Sequence, residues 1–350
     1  MGTLNGLSFH SVKGGVGKST LATWAGLDIA RRFPEAHVWL IDMDLTGTSL
    51  SDALPLTAPR LSADGRGGLN LRAPATEWLT EEETREGIVT RSAAEDPTTP
   101  TGVPYLNDFL LFADPSWEAD QDAVPGALGW RLEGGPENLR VLPSSALPQD
   151  LWRTVPVIFD EEHAAFLEAR LELLLAAMCR EAGDADLWVV FDVPPTLPGL
   201  SRAVLSLCLR LSRPPSERKP LAELDPEIPA PLDTLPIRWV AQLVCSMDRQ
   251  DLRAAERWAD LVITDDLERV RALFNRLEPG DAQRQPAEFL DLLRARLGGA
   301  EVLPALWGDE LVRVPDAPDL RVFQDDLGPP PQVVIDLMEQ LLAPFSERQG

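Results

Sequence analysis

Two lysines, three glycines and two hydroxyl residues stand within eight consecutive positions, Lys13-Gly14-Gly15-Val16-Gly17-Lys18-Ser19-Thr20. Side chains of these types, so spaced, can grip a polyphosphate. Glycines let the backbone curl until successive N–H groups face inward on anionic oxygens. A helix that begins at the second lysine adds its positive end. Lys18 places a point charge on the outer phosphates, and the Ser19 hydroxyl is a ligand for Mg²⁺. Acids stand farther along. Asp42 and Asp44 form an acid–x–acid pattern at the end of the apolar stretch 36–44, and Asp192 closes the apolar stretch 186–195 just ahead of Pro194 and Pro195. Aspartates so placed can hold the waters of a bound Mg²⁺. Each also has a plainer role, as a polar residue ending a strand.

The elements that must position these residues can be read from apolar periodicity. Residues 3–10, with Leu7 and Phe9, read as a short buried strand leading into the loop. Residues 18–33 read as a helix ended by Pro34. Val38, Leu40 and Ile41 mark the next strand, 36–44. Further strands are expected at 138–145, 186–195, 237–246, 270–277 and 300–307. Helices are expected at 160–181 with Asp160 as cap, and at 201–212, 248–267, 286–297 and 333–345. Strands alternating with helices predict an α/β fold, a doubly wound, mostly parallel sheet flanked by helices, in one domain spanning 1–350. Ligands of such sheets bind beyond the carboxyl ends of the strands, where the loop and the acids fall. A large insertion, 45–137, follows the second strand. Its segments, including the acidic TEEETREG, carry loop signals, but so long a structureless loop is improbable and some local order is expected. Residues 213–236, rich in proline and charge, read as an exposed excursion.

Composition narrows the function classes. The 350 residues are 44% hydrophobic, enough for a full core, and carry a net charge of −24. That charge works against unaided binding to DNA or to an anionic membrane. Cys179, Cys208 and Cys245 are widely spaced with no C-x-x-C pair, which argues against disulfides and Cys-ligated metals. No apolar run approaches a membrane span, and the first residues lack a signal-peptide pattern. A cytoplasmic protein is the expectation.

The loop departs from the common G-x-x-x-x-G-K-[ST] pattern. Val12 stands where the first glycine belongs, and Lys13 follows it. The form K-G-G-x-G-K-[ST] resembles the deviant Walker A motif of the ParA/MinD family of ATPases. The stretch 186–195 resembles that family's Walker B strand. The resemblance implies a P-loop NTPase fold binding ATP and Mg²⁺, with Gly14, Gly15, Val16, Gly17, Lys18, Ser19 and Thr20 around the phosphates. It implies that Lys13 reaches the phosphates of a partner subunit in an ATP-dependent homodimer. It also implies that Ser19, Asp42 and Asp192 hold the metal and its waters, and that Asp44 orients the attacking water. Asn275, in an Asn-Arg pair ending a strand, is implied to read the adenine edge; a turn asparagine is the plainer alternative. The expected function is a slow ATP hydrolase that acts as a nucleotide-switched positioning, partitioning or regulatory protein. Protein partners would dock on 45–137. The alternative is an ATP-dependent ligase or transferase of the same superfamily, with 45–137 as a lid over a small molecule. A non-hydrolysing scaffold fits poorly, since each nameable catalytic position is filled. A tyrosine-kinase relative is set aside because Tyr105 is the only tyrosine. The last helix, 333–345, is acidic on its polar face, unlike a basic membrane-binding tail. The sequence does not separate ATP from GTP.

Overall fold

The structure, a computed structural model, describes residues 2–46, 50, 53–65, 68–94, 101–111, 124–195, 199–218, 232, 235–246, 248, 250–255, 270–277, 312–315 and 332–346. Among these residues the frame is a sheet of seven strands: β1 (Leu4–His10), β2 (His37–Asp42), β5 (Leu139–Leu142), β6 (Leu187–Asp192), β7 (Ile237–Cys245), β8 (Val270–Leu277) and β9 (Val312–Pro315). Their spatial order is β5-β2-β6-β1-β7-β8-β9, and each neighbouring pair is parallel. Two short strands, β3 (Leu56–Thr57) and β4 (Arg131–Leu132), pair separately and antiparallel. β1 and β6 are buried at every residue, as parallel strands covered on both faces must be.

Helix α1 (Lys18–Arg32) covers one face, packing on β1, β2 and β6. Leu21, Trp24 and Leu27 join Leu7, Phe9, Val38 and Val190 in the core there. The last described helix, Gln332–Ser346, adds Val334, Leu337, Met338, Leu341 and Leu342 to the same core, so its apolar face is spent on packing. On the opposite face α6 (Ala164–Ala182) and α7 (Leu200–Leu211) pack against each other and over Leu4, Ile41, Val189 and Phe191. Residues 160–181 are not one helix. Asp160 accepts from Glu162 N at 2.9 Å and caps a 3₁₀ turn, Glu161–His163, before α6 begins.

Between β2 and β5 the described residues form β3, β4 and three helices: α2 (Glu81–Ser92), α3 (Leu106–Leu110) and α4 (Pro125–Leu128). The acidic segment read as loop is the start of α2. Thr80 and Glu83 form a capping box, with Glu83 N donating to Thr80 Oγ1 and Thr80 N to Glu83 Oε2, and acids fill the first turn. Local capping and the helix dipole outweigh the weak amphipathic pattern. Sequence reading assigned nothing to 146–159, where α5 (Pro148–Ile158) lies, with Pro148 at its start and Pro156 inside. Proline suits the first helical position, where no N–H partner is lost. The expected helix 286–297 and strand 300–307, together with most of 248–267 and of 213–236, lie outside the described residues. All three cysteines are free, and among the described residues no helix is long and apolar enough to cross a membrane.

Candidate functional site

β1 hands the chain from the sheet to the loop. Gly15 (φ 80°) and Gly17 (φ 84°) are left-handed, which a side chain resists and glycine does not. Gly17 is the N-cap of α1, and no side chain caps the helix there. No acid stands in its first turn. The first N–H groups and the positive end of a 15-residue helix therefore face the loop without a competing anion of their own turn. Gly14 and Gly15 are exposed, and an added Cβ at either would meet nothing within 4 Å. Val16 is buried and its carbonyl accepts from Asn275 Nδ2 at 2.6 Å, so the residue expected at the base is tied to the loop backbone. Ser19 and Thr20 are half-buried, and Ser19 O accepts from Thr23 Oγ1 at 2.8 Å.

Lys18 lies beneath the loop, only 7% exposed, with Nζ 2.5 Å from Oδ1 of the fully buried Asp192. Two sequence-predicted residues 174 positions apart thus meet. Asp192 is in register with Phe9 of β1 and with Asp42 of β2, so both aspartates stand in one row at the carboxyl end of adjacent strands. Asp42 accepts from Asp44 N at 3.0 Å and from Leu50 N at 3.2 Å. Asp44 is half-buried; its Oδ1 accepts from Thr46 N and from Thr46 Oγ1. Lys13 is half-exposed, and among the described residues it has no hydrogen-bond or ion-pair partner.

The residues fit a hydrated Mg²⁺ beside a polyphosphate. Asp192 Oδ2 is buried without a hydrogen-bond partner, a state that costs free energy unless something donates to it. It lies on the strand next to β1, whose far end becomes the loop that carries Ser19.

Three further residues escaped sequence reasoning. Gln242 of β7 is in register with Phe9, fully buried, and neither of its amide atoms has a partner. With Arg238 it is one of two long polar side chains in β7, and it alone stands between apolar residues deep in the strand, which was a readable signal. Ser144 Oγ donates to the Asp44 carbonyl at 2.8 Å; nothing local in sequence announces it. His10 ends β1, 3% exposed, with Nε2 2.9 Å from Ser8 Oγ. Burial first, and the Lys18 charge second, push its pKa from 6.5 down to about 3, so the ring is neutral.

No protein-family model and no curated protein matches the chain. Among solved structures it is similar to that of pNOB8 ParA, with a TM-score of 0.51 and 12% identity over 97% of this chain and 90% of that one. The septum site-determining protein MinD complexed with Mg-ADP from Pyrococcus horikoshii gives a TM-score of 0.49, 14% identity and 99% coverage of both chains. A ParA family ATPase from Chlorobium tepidum gives 0.46 and 15%, over 96% of this chain and 97% of that one. The fold is therefore the parallel, helix-flanked α/β sheet of the pNOB8 ParA structure.

Proposed function

We propose that this chain is a ParA/MinD-like ATPase that binds ATP with Mg²⁺ on the loop 13–20 and hydrolyses it slowly. The meeting of Lys18 with Asp192, under a loop of two left-handed glycines at the carboxyl end of a parallel sheet, carries the reading. An isolated glycine-rich turn would not need a buried cation and a buried acid aimed at each other.

The roles follow from chemistry. Lys18 leaves Asp192 for the phosphates as the polyanion arrives, and the freed Asp192 would, with Ser19 and Asp42, hold Mg²⁺ and its waters. Ser19 supplies a hydroxyl ligand, and Asp42 braces the row. When bound, Mg²⁺ supplies charge neutralisation for the phosphate oxygens. Asp44 orients the attacking water, and Asn275 holds the loop and stands near the base. Lys13, half-exposed and unengaged, completes the site of a second copy in an ATP-dependent homodimer. Partners that read the dimer dock on 45–137, and the protein acts as a positioning, partitioning or regulatory switch. The −24 charge disfavours direct DNA or membrane binding.

Calorimetry with ATPγS and Mg²⁺, with GTPγS as a second arm, tests the core of this reading. The chain should bind the adenine nucleotide, and Lys18→Ala should abolish binding. A wild-type chain that binds neither nucleotide sinks the reading. Light scattering tests the dimer: Lys13→Ala should bind nucleotide yet stay monomeric, and normal dimers would remove the sandwich.

A further inference from the structure

We infer that Ser144 is a positioning residue for Asp44, and that α2 and α3 of the insertion keep it in place. The inference rests on the hydrolytic reading above and makes the insertion part of the machinery of turnover.

Met43 N makes a sheet-like bond to Asp192 O at 2.9 Å, and then the chain leaves β2. The peptide units around Asp44 are held from both sides. Its N–H donates to Asp42 Oδ1 at 3.0 Å, and its carbonyl accepts from Ser144 Oγ at 2.8 Å. Backbone direction limits where a short side chain such as aspartate can reach, so Ser144, together with the Thr46 donors on Oδ1, sets the aim of the Asp44 carboxylate.

Ser144 is fully buried, and its neighbour Ser145 is locked on two sides. Ser145 N donates to Asn107 Oδ1 of α3 at 2.8 Å, and Ser145 Oγ donates to Asp150 of α5. Asn107 Nδ2 donates in turn to Thr154 Oγ1 of α5 at 3.1 Å. Asp150 accepts from Arg91 Nε of α2 at 2.8 Å. Arg91 also takes both oxygens of Asp108 on α3, at 2.8 and 3.0 Å, and its Nη1 donates to Val103 O at 3.0 Å. Buried hydrogen bonds thus lead from α2 and α3 to Ser145, and one peptide bond joins Ser145 to Ser144, which holds the Asp44 carbonyl. Few residues along this route are exchangeable: a planar two-sided fork is needed where Arg91 meets two carboxylates, and lysine does not offer one.

The test is single-turnover ATP hydrolysis alongside nucleotide affinity and unfolding midpoint. Ser144→Ala should slow hydrolysis about three- to tenfold, the range of one net hydrogen bond, with affinity unchanged. Ser144→Thr, which keeps the hydroxyl, should restore the rate. Asn107→Ala should lower the unfolding midpoint and slow hydrolysis too, and the double variant should be no slower than the slower single one, because both act through one path. Wild-type rates in Ser144→Ala, where Asp44→Ala is inactive, overturn the inference and leave the ATPase reading standing. Wild-type rates in Asp44→Ala itself overturn both Asp44's catalytic role and this inference. A double variant that multiplies the two losses shows independent structural damage and overturns the shared path.

Discussion

Arg91 and Lys18 are both buried cations facing buried aspartates, at 3% and 7% exposure. Their surroundings differ. Arg91 spends its fork on Asp108, Asp150 and Val103 O, lies 5.0 Å from the Tyr105 ring centroid, and has its own carbonyl capped by Gln149. Lys18 has one charged bond, to one oxygen of Asp192, and leaves the other oxygen orphaned. Ser11 Oγ and both amide atoms of Gln242 are orphaned near the same loop. Buried polar groups left open are costly, and networks with every member satisfied are rigid. The Arg91 cluster has every member satisfied, whereas the Lys18–Asp192 pair keeps capacity for another partner.

Arg91→Met gives the hardest blow to this contrast. It strands two carboxylates in the interior and should cost about 3–5 kcal/mol by urea unfolding. Lys18→Met strands one carboxylate rather than two and should cost less, about 1–2 kcal/mol. Equal costs would erase the distinction. A second probe is pH. His10, with its folded pKa pushed from 6.5 to about 3, stays neutral in the fold where the unfolded chain takes a proton. The unfolded state then binds more protons, so stability rises with pH across that window and is lost as pH falls below 6.5. Between pH 6.5 and 5 the loss from this one group is about 2 kcal/mol. Comparing urea midpoints of wild type and His10→Gln at pH 7 and pH 5 checks it; parallel declines would clear the histidine. The mildest probe sharpens the α2 side. Thr80→Ala removes a capping-box acceptor and should cost about 1 kcal/mol while sparing nucleotide affinity.

How much of this was legible depends on sequence distance. The loop at 13–20 and the strands around it announce themselves because their signals are local: glycine spacing, apolar runs, a terminal proline. Asp192 was readable for the same reason. The Arg91 cluster was not, since its partners stand 17 and 59 residues away and their meeting depends on α2, α3 and α5 docking together. Ser144 had no local mark, and a serine after a strand is common. α5 was missed because Pro148 and Pro156 look like breakers, although one starts the helix and the other falls near its last turn. Asn275 was correctly placed at the end of its strand, but its bond to Val16 O could not be read without the fold.

The grip of Lys18 on Asp192 also sets an entry fee that depends on charge. A visitor must displace an internal anion from the same ammonium, and a singly charged guest such as chloride or acetate gains little by replacing a carboxylate of equal charge. A chain of phosphates brings several negative centres at once and meets the helix end and backbone donors too. On the proposed nucleotide reading, singly charged small anions are disfavoured by the resting molecule before a base or sugar is met.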